Sequence, residues 1–199
     1  MPRSTRPPRN RPGLAPLNRR WHLAHDTHEI EVTEFKYAAM RMNAAFQRWN
    51  EAAMLAAGGE PLTFTEANML HVIRMQERPK GISVIANMLN RDDISNLQYG
   101  LRKLRSLGLI RPTGTAHRKN FEYEVTAKGR ALTDRFAEIA AELVYAPTRA
   151  ISNIEEKVIA SADLLRLMTG ILDEAARVAG TFTAVQAARK RSPARRKPR

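Results

Sequence analysis

The chain has no cysteine, which excludes disulfides, thiolate zinc sites and cysteine nucleophiles and leaves only histidine and carboxylates for any metal. Aromatic residues are scarce at 6%, but 43% of the 199 residues are hydrophobic, enough for a core built on aliphatic side chains. No window approaches the roughly 18 apolar residues of a membrane span, and the start lacks the ~7 to 15 residue apolar block of a secretory signal. The expectation is a soluble, cytoplasmic protein with no membrane partner. Also missing are a nucleophile elbow, a phosphate-cradling glycine loop and a paired acid-base site, so no enzyme activity is expected.

Acidic residues are absent from both ends. Residues 1–20 carry six arginines and residues 187–199 carry seven lysines and arginines, which together account for the whole net charge of +13. The stretch between them is formally neutral. Both ends are rich in proline and poor in large apolar side chains, so they are expected to be disordered arms, 1–20 and 183–199. Their charge suits nonspecific contact with nucleic acid phosphate, each neutralised phosphate adding about 0.9 to the salt slope. A solubilising tail is the plainer alternative.

Between the arms the periodicity is helical. Phe35, Ala39, Met42, Phe46, Trp49 and Ala53 step by four and three, which predicts one long helix over about 27–57 ended by Gly58 and Gly59. Its stripe is as narrow as a heptad seam and calls for a partner helix. Thr63-Phe64-Thr65-Glu66 has the pattern of a capping box, predicting a second helix over 64–77 stopped by Pro79. Ser83 can cap a short helix carrying Val84, Ile85, Ala86 and Leu89, with a tight turn at Asn90-Arg91. Asp92 or Asp93 can cap the next helix, where Leu97, Leu101 and Leu104 share a face and Gly108 supplies a left-handed end. Two short helices around a tight turn make a helix-turn-helix. Leu109-Ile110-Arg111 then reads as a strand, 113–120 as a polar loop, and Phe121 to Val125 as a second strand of period two, together a two-stranded β wing. Thr126 caps a further helix with Leu132, Phe136, Ile139, Leu143, Ile151, Ile154 and Val158 inward, interrupted near Pro147. From Ser161 a last helix repeats the narrow stripe in Leu165, Met168, Leu172, Ala175 and Ala179.

The order and spacing of these elements over about residues 30–180 resemble the MarR family of winged helix-turn-helix transcriptional regulators. The matching stretches are Leu62 to Ala67, Ile85 to Leu89, Leu101 to Ile110, and Val125-Thr126-Ala127-Lys128-Gly129. One departure lies in the wing. The loop Thr115-Ala116-His117-Arg118-Lys119-Asn120 keeps a basic pair but lacks the acidic residue that commonly braces it in the family. The resemblance implies a mainly α, winged-helix fold in five parts: N-terminal arm 1–20, dimerisation helix 21–60, DNA-binding domain 61–130, C-terminal dimerisation helices 131–182 and basic tail 183–199. It also implies a homodimer and a small anionic or phenolic ligand, of unknown identity, in the cleft between dimer helices and DNA-binding lobe.

With Leu97, Leu101 and Leu104 inward, the helical step places Ser95, Tyr99 and Arg102 on the opposite surface, flanked by Asn96, Gln98 and Lys103. Such side chains suit a major groove, Arg binding guanine and Asn or Gln binding adenine in bidentate fashion. His117, Arg118 and Lys119 of the wing complete the candidate contacts with double-stranded DNA. Residues 91–130 hold nine basic residues against four acidic, while 21–70 hold three against seven. Phe35, Met42, Phe46 and Trp49 on the first helix and Leu165, Met168 and Leu172 on the last are the candidate dimer interface, an arrangement that would set two recognition helices about 34 Å apart on a pseudo-palindrome. His22, His25 and His28 with Asp26 and Glu29 could align on a helix for Zn or Ni, although exposed histidines are the simpler expectation. The same fold also fits an architectural protein that binds DNA without sequence preference through its arms.

Overall fold

The computed structural model describes residues 22–113 and 121–191, with side chains as far as Thr183. The N-terminal arm, the wing residues His117, Arg118 and Lys119, and the tail beyond Arg191 lie outside the described residues. The elements run α1 (Thr27–Ala56), α2 (Phe64–Arg74), a 3-10 turn (Met75–Glu77), β1 (Lys80–Gly81), α3 (Ile82–Met88), α4 (Ile94–Ser106), β2 (Ile110–Thr113), β3 (Glu122–Val125) and α5 (Ala127–Ala140). A π-helical turn (Ala141–Tyr145), α6 (Ala146–Thr148) and α7 (Ile154–Arg191) follow. The chain divides into two compact units, through Ile139 and from Ala140 onward.

In the first unit local chemistry sets most boundaries. Asp26 caps α1 by accepting from the Glu29 amide at 2.8 Å, while Glu29 accepts from the His25 amide. That occupies the carboxylates nearest the histidines, and among the described residues no cluster of His, Cys, Asp and Glu could hold a metal ion. The Thr63–Glu66 capping box is formed in both directions, at 2.8 and 3.3 Å. α2 ends earlier than the periodicity predicts, at Arg74, because Gln76 and Glu77 turn the chain back with φ of +64° and +51°. Ser83 does not cap α3, which already starts at Ile82 behind Gly81. Leu97, Leu101 and Leu104 of α4 pack with Leu70, Ile73 and Ile85 in one buried cluster that also takes in Leu109, Ile110, Val125 and Leu132. Gly108, at φ +70°, closes α4 with a Schellman motif, the Leu109 amide reaching Leu104 O at 3.0 Å and the Gly108 amide reaching Arg105 O at 2.9 Å.

The wing is broader than the two strands predicted. β1 joins it, giving an antiparallel sheet ordered β1-β3-β2 with Lys80 opposite Tyr123 and Ile110 opposite Val125. Pro112 sits in β2, an edge strand, where its missing N–H costs no ladder bond. Thr126 caps α5, its hydroxyl accepting from the Gly129 amide at 3.1 Å.

In the second unit the interruption expected near Pro147 takes the form of a π turn and one short turn with Pro147 at its start, and Asn153 takes φ +54°. Ile154 and Val158 therefore belong to α7, which begins seven residues before Ser161. α7 spans 38 residues and continues to Arg191, past residue 183 where a disordered tail is expected to begin. No helix of the described residues is long and apolar enough to cross a membrane.

Candidate nucleic-acid interface

α4 is amphipathic in a way that fixes what it offers outward. One face is pinned by Leu97, Gly100, Leu101 and Leu104, all buried. Gly100 is there for packing: a Cβ at this position would lie 3.0 Å from Met69 Sδ, so α2 and α4 approach too closely for a larger side chain without Met69 giving way. Ser95, Asn96, Gln98, Tyr99 and Arg102 are exposed on the other side, Tyr99 at 63%. The Arg102 guanidinium lies over the Tyr99 ring, 5.9 Å from its centroid, so two long side chains share one orientation before any ligand arrives.

Lys103 departs from the expected set. Its ammonium turns inward and donates to Glu66 Oε2 at 2.8 Å and to Pro61 O at 3.0 Å, leaving it committed to the fold and not to an outer surface. Glu66 is buried and also receives the Thr63 amide, so the cation that balances it is structural. Asn96 is partly committed as well, its side-chain amide donating to Asp93 Oδ2 at 2.9 Å.

Of the acidic pair at the start of α4, Asp93 is paired within the fold. Asp93 occupies the capping position but its side chain makes no backbone cap. Instead the carboxylate pairs with Arg91, which also donates to Thr65 Oγ1 at 3.2 Å and so ties the tight turn to the start of α2. The hydrogen bonds from Arg91 and Asn96 hold the Asp93 carboxyl well below the ordinary aspartate range. Ile94, exposed at the first position of α4 one turn before Gln98, shares this surface and was not singled out by the sequence. It lies three and seven residues before Leu97 and Leu101, in phase with the buried leucines, so its spacing predicts burial and carries no signal of its exposure.

Beside α4 the strands of the wing are locked in register by the facing pair Arg111 and Glu124, 2.6 Å apart. The loop that would bear His117, Arg118 and Lys119 runs between their far ends, Thr113 and Glu122.

The candidate dimer residues have mixed surroundings. On α1, Met42 and Phe46 are exposed at 57% and 47%, while Phe35 and Trp49 are half-buried. Phe46 meets Phe64 edge-on at 5.4 Å and Trp49 lies 6.1 Å from Phe136, so part of the stripe is used within the first unit. On α7, Leu165 and Met168 are half-buried and Leu172 is exposed, along with Ile159, Leu167, Ile171 and Phe182.

A cavity of about 410 Å³ opens between α1, the start of α2 and the α3–α4 turn, lined by polar residues including Asn43, Gln47, Asn68 and Arg91 and by the apolar Phe64 and Leu89. Nearby, Asn50 is buried with its amide on Asn68 at 3.5 Å and its own oxygen unpaired. His71 stacks edge-on against Phe136 at 4.6 Å, and burial, reinforced by the charge of Arg74, lowers its pKa.

Residues 62–129 match a family profile described as a winged helix DNA-binding domain. The fold is that of the MarR-family transcriptional regulators. The transcriptional regulator MosR of M. tuberculosis, solved in complex with DNA, aligns with 67% of this chain and 95% of its own at 22% identity and a TM-score of 0.52. BldR, a transcriptional regulator from Sulfolobus solfataricus, aligns with 71% of this chain and 99% of its own at 19% identity and a TM-score of 0.56. A MarR family transcription regulator, SP03579, aligns with 76% of this chain and 97% of its own at 16% identity and a TM-score of 0.59. No curated protein matches the chain in sequence.

Proposed function

We propose that this chain is a sequence-specific DNA-binding transcriptional regulator, not an enzyme, that grips a pseudo-palindromic operator as a homodimer. The observation that carries this reading is the exposed face of α4, where Ser95, Gln98, Tyr99 and Arg102 stand together on a helix anchored by three buried leucines. Hydrogen bonds to base edges need side chains of fixed orientation, and a helix held rigidly on its apolar face supplies that. The pairing of Asp93 with Arg91 lessens the electrostatic objection to phosphate approach. MosR, which shares the fold, is a regulator solved with DNA. Dimerisation is the natural use of the exposed apolar residues on α1 and α7, which a monomer would leave in water. By its resemblance to the MarR family, that dimer would take a small anionic or phenolic ligand as effector.

The test is selection of duplexes from a random pool by the full chain at about 150 mM salt, where the arms' contacts are screened. Enrichment of an inverted repeat, lost in Tyr99→Ala and Arg102→Ala, is the expected result. Binding without enrichment, abolished when the arginines of residues 1–20 and the basic residues of 187–199 are neutralised, refutes it in favour of an architectural protein.

A further inference from the structure

Ile94 and Tyr99 are the large apolar side chains of α4 that stand in water, and Ile94, 39% exposed, is the purely aliphatic one. Its spacing from Leu97 and Leu101 is that of the buried face, yet it belongs neither to the core cluster nor to the half-buried residues packed against that cluster. Its place explains this. Ile94 is the first residue of the helix, and burial starts three residues later at Leu97. Removing its apolar surface from water is favourable, so it gains from an apolar group brought against it.

Its polar neighbours Asp93 and Asn96 are already engaged. Asp93 is paired with Arg91, and the Asn96 side-chain amide donates to the same carboxylate at 2.9 Å. Arg91 also donates to Thr65 Oγ1 at 3.2 Å, which fastens the turn before α4 to the start of α2. Ile94 and Ser95 therefore face outward from a first turn that is tied down. Isoleucine adds a rigidity of its own. Branched at Cβ, it keeps essentially one χ1 rotamer in a helix, so its methyl groups are aimed before a partner arrives and little side-chain entropy is lost on contact. One turn on lies Gln98, and beyond it Arg102 with its guanidinium over Tyr99. Ile94 is thus the apolar start of an otherwise hydrogen-bonding face.

On the base edges of the major groove the apolar group is the C5 methyl of thymine. A recognition helix docked there offers its N-terminal residues to those edges. We infer that Ile94 is a specificity-determining residue that packs on the C5 methyl of one thymine in each half-site, a contact that its hydrogen-bonding neighbours cannot replace. This rests on the DNA-binding role proposed above.

The test uses the full chain and a duplex that it enriches from a random pool. Each thymine of one half-site is replaced in turn by deoxyuridine, which preserves base pairing and removes only the methyl. At one position the replacement should weaken binding about fourfold, as expected for one buried methyl group. In Ile94→Ala, binding to the parent duplex should be weaker and that same replacement should cost nothing. A uridine penalty as large in Ile94→Ala as in the parent chain overturns the inference, because another residue then reads the methyl. A half-site in which no replacement weakens binding overturns it as well. Both results come from a duplex that the chain still selects. Failure to enrich any duplex refutes the sequence-specific reading itself, and this inference with it, before any uridine is introduced. Should Ile94→Ala lose the native circular dichroism spectrum, Ile94→Ser, which suits a helix start, is read by the same criteria.

Discussion

Gly129 makes the sharpest demand on the fold, and Gly129→Ala tests it. Gly129 lies in the first turn of α5, beneath the chain leaving α4, and a Cβ there would sit 2.2 Å from the Leu109 carbonyl oxygen and 3.1 Å from its carbon. Ordinary contact needs about 3.5 Å, and the obstacle is backbone, so α5 must retreat by roughly 1 Å. The retreat pulls on Thr126, whose amide donates to Leu109 O at 3.0 Å and whose hydroxyl donates to Gly108 O at 2.6 Å. Two weakened hydrogen bonds at about 1 kcal/mol each, with about 1 to 2 kcal/mol of overpacking and less about 1 kcal/mol gained from alanine in a helix, give a loss of roughly 2 to 3 kcal/mol. At roughly 3 °C per kcal/mol for a chain of this size, the melting temperature should fall by about 6 to 9 °C in a far-ultraviolet circular dichroism scan. Gly100→Ala is the control. There the nearest atom is the Met69 sulfur at 3.0 Å, the end of a flexible side chain, and the helix gains about 1 kcal/mol from alanine. Its melting temperature should stay within about 3 °C of the parent. Equal effects of the two substitutions would refute the argument that backbone contact, and not glycine as such, fixes the α4–α5 junction.

Three further outcomes are expected. Arg102→Ala should cost about 1 to 3 kcal/mol of affinity for an enriched duplex and relax selection at one base pair in each half-site, as measured by competition with single-base variants. Lys103→Met should instead act on stability, because it strips the buried Glu66 carboxylate of its cation; with Lys103 one-third exposed, the cost is about 1 to 2 kcal/mol in urea unfolding, with DNA affinity of the folded protein little changed. His71 has its pKa lowered by burial and by Arg74, so the unfolded chain takes up its proton first as pH falls. Its contribution to stability is therefore complete above the unfolded value near 6.5 and is lost as pH falls through the lower folded value. Urea titrations from pH 7 down to about 5 should show that slope reduced in His71→Leu, and an unchanged slope would exclude His71 as its source.

Much of this fold was legible because its signals are short-range. The Thr63–Glu66 box, the left-handed Gly108 and the Thr126 cap each depend on residues within four positions, and each forms as their spacing predicts. The leucine spacing on α4 predicts its buried face for the same reason: a rigid helix converts sequence intervals directly into directions. β1 gave no such signal. Two residues have no periodicity, and Lys80-Gly81 becomes a strand only because β3, some forty residues later, lies alongside. Near Pro147 the sequence predicts an interruption but not its form, since a run of helical positions cannot show where a π turn shifts their phase.

The site itself divides along the same line, and Lys103 shows why. By helical phase Lys103 belongs to the flank of the outward face, next to Arg102, and nothing nearby in sequence distinguishes the two. What separates them is Glu66. The capping box that starts α2 buries that carboxylate, a buried carboxylate requires a cation, and the packing of α2 against α4 over Gly100 brings Lys103 within 2.8 Å. Arg102, one residue earlier, is turned by about 100° to the opposite side, where Tyr99 and not a carboxylate receives it. The stripe on α1 follows the same logic. Its period shows that Phe46 and Trp49 need partners, but Phe64 and Phe136 of the same unit supply some of them, so only what remains exposed, Met42 foremost, is free to meet a second chain. A pattern along one element fixes which way a side chain points; which partner it finds there is decided by elements distant in sequence.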